Sequence, residues 1–134
     1  MKILIIDNFK EDRELLVKYL LEEKDSKKIK IDEIDESDCL TSALKKIEDN
    51  DYDAILMDLV LPEATGIGNI IAIKNTMKQI KKITPIIVVT AYENYSEGRE
   101  AYKLGIKDYL IKTEIFPKDI ARSIKFAIQS YKKI

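Results

Sequence analysis

The sequence predicts an α/β protein: one domain, residues 1–134, with a parallel five-stranded sheet between two layers of helices. Five short apolar runs alternate along the chain with five segments of helical periodicity. Neither a repeat nor a linker interrupts this alternation. Alternating strands and helices connect by right-handed crossovers, which make the strands parallel and cover both faces of the sheet. The expected architecture is therefore a three-layer, doubly wound sheet.

The five predicted strands are short runs of apolar or β-branched residues with polar flanks. A run that is apolar throughout indicates a strand buried on both faces, whereas alternation indicates a less buried strand. Residues 29–34 alternate, and the runs at 2–6, 54–57 and 85–89 are nearly continuous. In chain order the predicted strands are residues 2–6, 29–34, 54–57, 85–89 and 107–111.

The five predicted helices carry apolar residues three or four positions apart. Ser37 or Asp38 is placed to cap the second helix. Gly105 is placed to end the fourth helix, and Pro117 suits the first turn of the fifth. The predicted helices cover residues 11–23, 40–47, 70–80, 96–104 and 117–131.

The composition excludes several classes of function. The chain has no histidine, which excludes serine and cysteine hydrolase triads and histidine-ligated zinc sites. The net charge is -1 and no basic patch is visible, so direct nucleic-acid binding is not expected. Cys39 is the only cysteine, and no apolar run is long enough to span a bilayer. We therefore expect a cytoplasmic protein that does not enter the membrane.

Polar side chains follow the predicted strands at the edge where such sheets bind ligands. Asp7 and Asn8 follow the first strand, Asp58 the third, Thr90 the fourth and Lys112 the fifth. Taken singly, each aspartate could equally cap a helix, and the threonine and lysine could be ordinary strand-end or surface residues. Taken together, two neighbouring acids require a cation, and magnesium is the usual ion for oxygen ligands. A lysine and a hydroxyl opposite the acids suit a phosphoryl group.

Four stretches of the sequence resemble the receiver domain of two-component response regulators, the CheY-like family. They are Asp7-Asn8, LMDLVLP at 56–62 with Gly66, VVTA at 88–91 and GIKDYLIK at 105–112. The resemblance covers essentially the whole chain, in order and at matching spacing. It implies a flavodoxin-like fold with strand order 2-1-3-4-5. It also implies a signalling domain rather than an enzyme, with only self-phosphorylation and dephosphorylation of its own.

The resemblance implies a phosphoacceptor and a metal site. Asp58 matches the residue that accepts the phosphoryl group as an acyl phosphate. Asp7, Asn8, Asp58 and the backbone carbonyl of Val60 match the Mg²⁺ site. Asn8 stands where many members carry a second acid, so we expect weaker Mg²⁺ binding. Thr113 stands where a proline is common, so the loop into the last helix is expected to differ.

The remaining implied roles concern the bound phosphoryl group and the response to it. Lys112 would form an ion pair with this group, and Thr90 and the N–H of Ala91 would donate hydrogen bonds to it. Tyr109 matches the aromatic residue whose rotamer follows the movement of Thr90. The surface of the fourth helix, fifth strand and fifth helix would then change. Residues expected near that surface are Tyr102, Ile106 and Ile111.

The implied partners lie on other chains or domains. A phosphohistidine donor is needed, on a sensor histidine kinase or a phosphotransfer protein, because this chain has no histidine. The output is implied to pass through a downstream protein or a fused domain, and many members form homodimers when phosphorylated. The last part of the chain is similar to receivers that precede other domains, which leaves open both a stand-alone relay protein and the first module of a longer protein.

Two alternatives to a phosphoacceptor remain at this level. A pseudo-receiver keeps the fold and the partner surface without phosphotransfer; Asn8 favours it, and the intact phosphoacceptor and phosphoryl-binding residues argue against it. The other alternative is an enzyme on a similar fold. A haloacid-dehalogenase-type phosphatase needs an acid where Phe9 stands, and the sequence has no P-loop. A dinucleotide-binding motif lacks its third glycine, because Ile71 occupies that position.

Overall fold

A computed structural model describes residues 1–132. Residues 133 and 134, which the predicted domain includes, lie outside the described part. Strands and helices alternate as the sequence predicts. The elements are β1 (Lys2–Ile6), α1 (Lys10–Asp25), β2 (Glu33–Ser37), α2 (Leu40–Asp49), β3 (Ala54–Met57), α3 (Gly68–Gln79), β4 (Ile86–Thr90), α4 (Tyr95–Lys103), β5 (Asp108–Ile111) and α5 (Pro117–Lys132).

The sheet is parallel throughout and has the order β2-β1-β3-β4-β5. The predicted fold class and strand order are confirmed. Strand order reverses between β1 and β3, because β2 lies on the far side of β1. Such a switch point leaves a crevice at the carboxyl ends of the two strands, and Asp7 and Asp58 are the residues that follow them.

The sheet separates two apolar clusters. Helices α2, α3 and α4 pack on one face, and α1 and α5 pack on the other. The helical members of the first cluster are Ala43, Ile47, Ile70, Ile73, Met77 and Ala101. Those of the second are Leu16, Leu20, Ile120, Ala121, Ile124 and Ala127. Fully burying an isoleucine or leucine side chain contributes about 1.5–3 kcal/mol. The two layers therefore fix the central strands and the polar residues at their ends.

The predicted position of the second strand is wrong. The strand is Glu33–Ser37, which pairs with β1, whereas residues 29–32 lie before it. Ile29 and Ile31 are 3% and 5% exposed, and they belong to the second core cluster. These two isoleucines therefore pack in the core, although they are not part of the strand that pairs with β1. The strand itself is a mostly polar edge strand, which gives little hydrophobic signal.

The predicted cap of α2 is also wrong. Cys39, not Ser37 or Asp38, occupies the N-cap position, and its side chain makes no capping hydrogen bond. The backbone N–H groups of Leu40 and Thr41 instead donate to Oε1 and Oε2 of Glu63, at 3.0 and 2.9 Å. Glu63 lies in the loop between β3 and α3, so a side chain distant in sequence satisfies two of the free donors at this helix start.

The hydrogen bonds to Glu63 predict an acid-dependent contribution to stability. The N–H groups of Thr41 and Leu40 lower the pKa of Glu63 from 4.5 to about 2. A carboxyl whose pKa is lower when folded stabilises the fold above its unfolded pKa, and loses that contribution as pH falls through the folded pKa. We expect Glu63→Gln to be less stable than the wild type at neutral pH. The difference should shrink as pH falls from 4.5 to about 2.

Urea unfolding at a series of pH values measures this difference. The exposed Glu48 on α2 makes no such contact with backbone N–H groups, so Glu48→Gln is the matched control. Its stability difference from the wild type should not shrink in the same way as pH falls. A Glu63→Gln effect that stays constant between neutral pH and pH 2 would contradict the proposed cause.

Candidate functional site

The register of the sheet brings four predicted residues to one edge. The N–H of Asp58 donates to the carbonyl of Ile6 at 2.9 Å, which aligns the end of β3 with the end of β1. The N–H of Lys112 donates to the carbonyl of Thr90 at 2.8 Å, which aligns the ends of β5 and β4. Asp7 directly follows Ile6, so both acids, the threonine and the lysine lie on the same rim.

The ammonium of Lys112 lies among three carboxylates. Its Nζ is 2.6 Å from Oδ2 of Asp7, 2.6 Å from Oδ2 of Asp58 and 2.9 Å from Oδ2 of Asp12. The structure therefore brings together three residues that the sequence places after different strands. Asp12, in the first turn of α1, was not predicted. An acid in the first turn of a helix is common because it complements the helix dipole, so the sequence carries no signal for this role.

Burial makes this cluster electrostatically strong. Asp7 and Asp58 are 1% and 3% exposed, and the Lys112 side chain is 10% exposed. Burial raises the pKa of Asp7, and the nearby charge of Asp58 adds to this; Lys112 and the N–H of Phe9 act in the opposite direction. Burial lowers the pKa of Lys112, but its contacts with Asp58, Asp7 and Asp12 outweigh burial and raise it above 10.5. Lys112 is therefore an ammonium at neutral pH.

The two buried carboxylates are oriented alike by the backbone. Oδ1 of Asp7 accepts the N–H of Phe9 at 2.9 Å, and Oδ1 of Asp58 accepts the N–H of Val60 at 3.0 Å. Each Oδ2 is directed at Lys112. The contact of Oδ2 of Asp7 with that ammonium, at 2.6 Å, is an ion pair that is not aligned as a hydrogen bond.

An acceptor of this kind fits a divalent cation. Two buried carboxylates that share one ammonium hold an excess of negative charge, and a hard ion such as Mg²⁺ binds oxygens of this type. Within residues 1–132 no three cysteine, aspartate or glutamate side chains are already gathered as a metal-binding group. The donor set expected here has only two side-chain carboxylates, and its third ligand is the main-chain carbonyl of Val60. The residues present therefore fit the ion.

Thr90 lies beside this cluster but is weakly held. It is 5% exposed, and its hydroxyl contacts the carbonyl of Tyr92 at 3.5 Å, a long hydrogen bond. Ala91, the next residue, is exposed, and so is Asn8 on the other side of the crevice. A weakly held hydroxyl on this rim can turn to a new acceptor at little cost.

Comparison with known proteins identifies the family. Residues 3–125 match the model of the response regulator receiver domain. The chain belongs to this receiver family. It is 32% identical to the sensory transduction protein LytT of Bacillus anthracis over 133 residues, 99% of this chain and 48% of LytT. It is 32% identical to the transcriptional regulatory protein ResD of Bacillus subtilis, covering 92% of this chain and 46% of ResD.

Solved structures agree with this assignment. A two-component response regulator from Clostridium difficile is 29% identical, with a TM-score of 0.78 over 96% of each chain. The receiver domain described here spans about half the length of the curated relatives it matches. Among residues 1–132, no helix is long and apolar enough to cross a membrane.

Tyr109 of the receiver domain is packed against α4. Its ring lies 3.7 Å from where a Cβ on Gly98 would stand, and its hydroxyl donates to Oε1 of Glu97 at 3.2 Å. Burial raises the pKa of Tyr109, and the charge of Glu97 adds to this. The ring therefore packs on the surface of α4 beside Gly98. The predicted switch residue therefore contacts the helix that the sequence analysis expects to respond.

The three residues predicted near the α4–β5–α5 surface differ in position. Tyr102 is 49% exposed, and its hydroxyl lies 3.4 Å from Oδ1 of Asp108. Ile111 is half-buried at the end of β5. Ile106 is 4% exposed and belongs to the first core cluster, so it packs in the interior behind that surface. No cis peptide bond occurs between residues 1 and 132, so the bond from Lys112 to Thr113 is trans.

The loop that follows Asp58 is held by a buried asparagine that sequence reasoning missed. Asn69, on α3, is fully buried, and its Nδ2 donates to the carbonyls of Leu59 and Ala64, both at 2.9 Å. A short bridge between Val60 and Thr65 closes the same loop. The loop that carries the phosphoacceptor's neighbours is therefore fixed from inside the fold.

Proposed function

We propose that this receiver domain accepts a phosphoryl group on Asp58 in a reaction that requires Mg²⁺. The observation that carries the proposal is the buried cluster of Asp7, Asp58 and Lys112, in which two carboxylates share one ammonium. Such a site holds negative charge in excess of its one ammonium. It is therefore suited to bind a cation, and to bind a phosphoryl group once the cation has reduced its negative charge.

The chemistry follows from the position of Asp58. A carboxylate oxygen attacks phosphorus, an O–P bond forms, and the P–N bond of a phosphohistidine breaks, with imidazole as the leaving group. The ammonium of Lys112, 2.6 Å from Oδ2 of Asp58, lies where it can pair with the oxygens of the transferred group. Thr90 and the N–H of Ala91 donate hydrogen bonds to the same oxygens.

The metal site uses the residues on the other side of the crevice. Asp7, Asp58 and the carbonyl of Val60 would hold Mg²⁺, and the amide oxygen of Asn8 would face it without adding charge. When bound, the ion neutralises negative charge on the transferring group. Asp7, whose Oδ1 accepts the N–H of Phe9, would act as a ligand of the ion, and Asp58 as both ligand and phosphoacceptor.

The response is a change in the α4–β5–α5 surface. Phosphorylation adds acceptor oxygens at Asp58, which draw the weakly held hydroxyl of Thr90 toward them. Tyr109 then leaves its contact with Glu97 and turns into the space that Thr90 vacates. The populations of the α4 and β5 arrangements shift accordingly.

The partners follow from what the chain lacks and from its length. A sensor histidine kinase or phosphotransfer protein supplies the phosphohistidine, since the chain contains no histidine. The curated relatives are about twice as long, so the output passes to a fused domain or to a separate protein. We place residues 1–134 in one cytoplasmic signalling domain, which forms a homodimer on phosphorylation and does not itself contact nucleic acid.

Intact-mass measurement tests the proposal. Incubation with acetyl phosphate and Mg²⁺ should add the mass of one phosphoryl group to the wild type. Asp58→Asn should gain none, and a chelator should prevent the gain in the wild type. A wild type that gains no mass, while remaining folded, would instead identify a pseudo-receiver that acts only by binding.

A further inference from the structure

Asp12 joins the candidate site from outside the sheet edge. It lies in the first turn of α1, its side chain is 38% exposed, and its Oδ2 is 2.9 Å from Nζ of Lys112. That ammonium is the same one that pairs with Asp7 and Asp58. Asp12 and Lys112 are 100 positions apart in the sequence, so the contact is a product of the fold.

The charge balance of the cluster gives Asp12 a role. Asn8, exposed beside Asp7, contributes no charge. Three carboxylates around one ammonium leave a formal excess of two negative charges, which a divalent cation balances. Without Asp12 the excess is a single charge, and a divalent ion would leave the buried site positive. A second observation points to the ion: Asp7 and Asp58 are 1% and 3% exposed, and they share the single ammonium of Lys112.

The position of Asp12 also matters for Lys112. An incoming cation competes with the ammonium for Oδ2 of Asp7 and Oδ2 of Asp58, since both now lie 2.6 Å from Nζ. Asp12 offers the ammonium a partner outside that pair. Lys112 can therefore release the two buried carboxylates without becoming an unpaired charge in a buried position.

We propose that Asp12 is a positioning residue of the Mg²⁺ site, which supplies the second acidic charge that Asn8 lacks and holds Lys112 when the ion binds. The inference rests on the proposed function in assuming that Mg²⁺ binds at Asp7 and Asp58. It goes beyond that function by assigning a role to a residue outside the four motif stretches named above.

Calorimetric titration of Mg²⁺ into the unphosphorylated full chain, at constant ionic strength, measures the effect. Asp12→Asn should raise the Kd about tenfold, the usual size for a residue that supports metal ligands. Glu11→Gln is the matched control, because it removes one exposed acid from the same turn of α1, and its Kd should equal that of the wild type. Adding Asn8→Asp to Asp12→Asn should restore most of the lost affinity.

Each result decides for or against the proposal. An unchanged Kd in Asp12→Asn, an equal loss in Glu11→Gln, or no recovery with Asn8→Asp would overturn it. Thermal unfolding establishes that the variants are folded, and Asp12→Ser provides a second variant with the same expected loss. If the wild type binds no Mg²⁺, the proposed function fails and this inference with it. If the wild type binds Mg²⁺ and is phosphorylated, but Asp12→Asn has the same Kd for Mg²⁺ as the wild type, only this inference fails.

Discussion

Lys112→Met is expected to destabilise the receiver domain by about 3 kcal/mol, because removing one partner of a buried ion pair leaves uncompensated charge. Methionine keeps most of the length of the side chain but removes the ammonium that Asp7, Asp58 and Asp12 share. The same change should slow phosphorylation by acetyl phosphate about a hundredfold, as expected when one stabilising donor is lost. Urea unfolding in the presence of a chelator measures the first effect, and time-resolved intact mass measures the second.

A lysine on the surface provides the control for this change. Lys10 has a side chain that is 76% exposed and pairs with Glu14 one turn along α1. Lys10→Met should change the free energy of unfolding by less than about 0.5 kcal/mol. Saturating Mg²⁺ should return part of the stability lost in Lys112→Met, because the ion replaces the missing positive charge. If Lys112→Met is as stable as the wild type in the absence of metal, then the ammonium does not stabilise the three carboxylates, and the prediction is wrong.

Asn69→Ala is expected to cost about 2–4 kcal/mol of stability, because two buried carbonyls lose their donor. The carbonyls of Leu59 and Ala64 each accept from Nδ2 of Asn69 at 2.9 Å, and Asn69 is fully buried. The loop after Asp58 should loosen first, since these hydrogen bonds hold it to α3. Urea unfolding measures the stability, and amide hydrogen exchange across residues 59–66 measures the loosening.

Asn75 offers a matched comparison on the same helix. It is exposed on α3, so Asn75→Ala removes the same chemical group without uncovering a buried acceptor. Its effect on the free energy of unfolding should stay within about 0.5 kcal/mol. Equal effects at the two positions, or unchanged exchange in the loop of Asn69→Ala, would contradict the role given to Asn69.

The sequence predicts the fold well because the signals for it are local. Strands β1, β3 and β4 are continuous apolar runs, and a buried parallel strand requires such a run. Asp7 and Asp58 follow β1 and β3 directly in the sequence, so their meeting at one edge is predictable from topology. The edge strand β2 was misplaced because its residues are mostly polar and the neighbouring isoleucines pack elsewhere.

Other parts of the site could not be predicted because they depend on contacts between distant segments. Asp12 has the sequence context of an ordinary acid at a helix start, and only the folded chain brings it to Lys112. Asn69 stands among apolar residues of α3, where nothing in the local pattern indicates that its amide faces a loop. Glu63 caps a helix that precedes it by more than twenty positions.

The contact of Glu63 with α2 has a mechanical consequence. The carboxylate of Glu63 accepts hydrogen bonds from the N–H groups of Leu40 and Thr41. These two bonds connect the segment after Asp58 to the beginning of α2. A displacement of that segment therefore pulls on the helix next to the β2 edge. A structural change at Asp58 can therefore affect both edges of the sheet: the edge at β2 and α2, as well as the edge at β5.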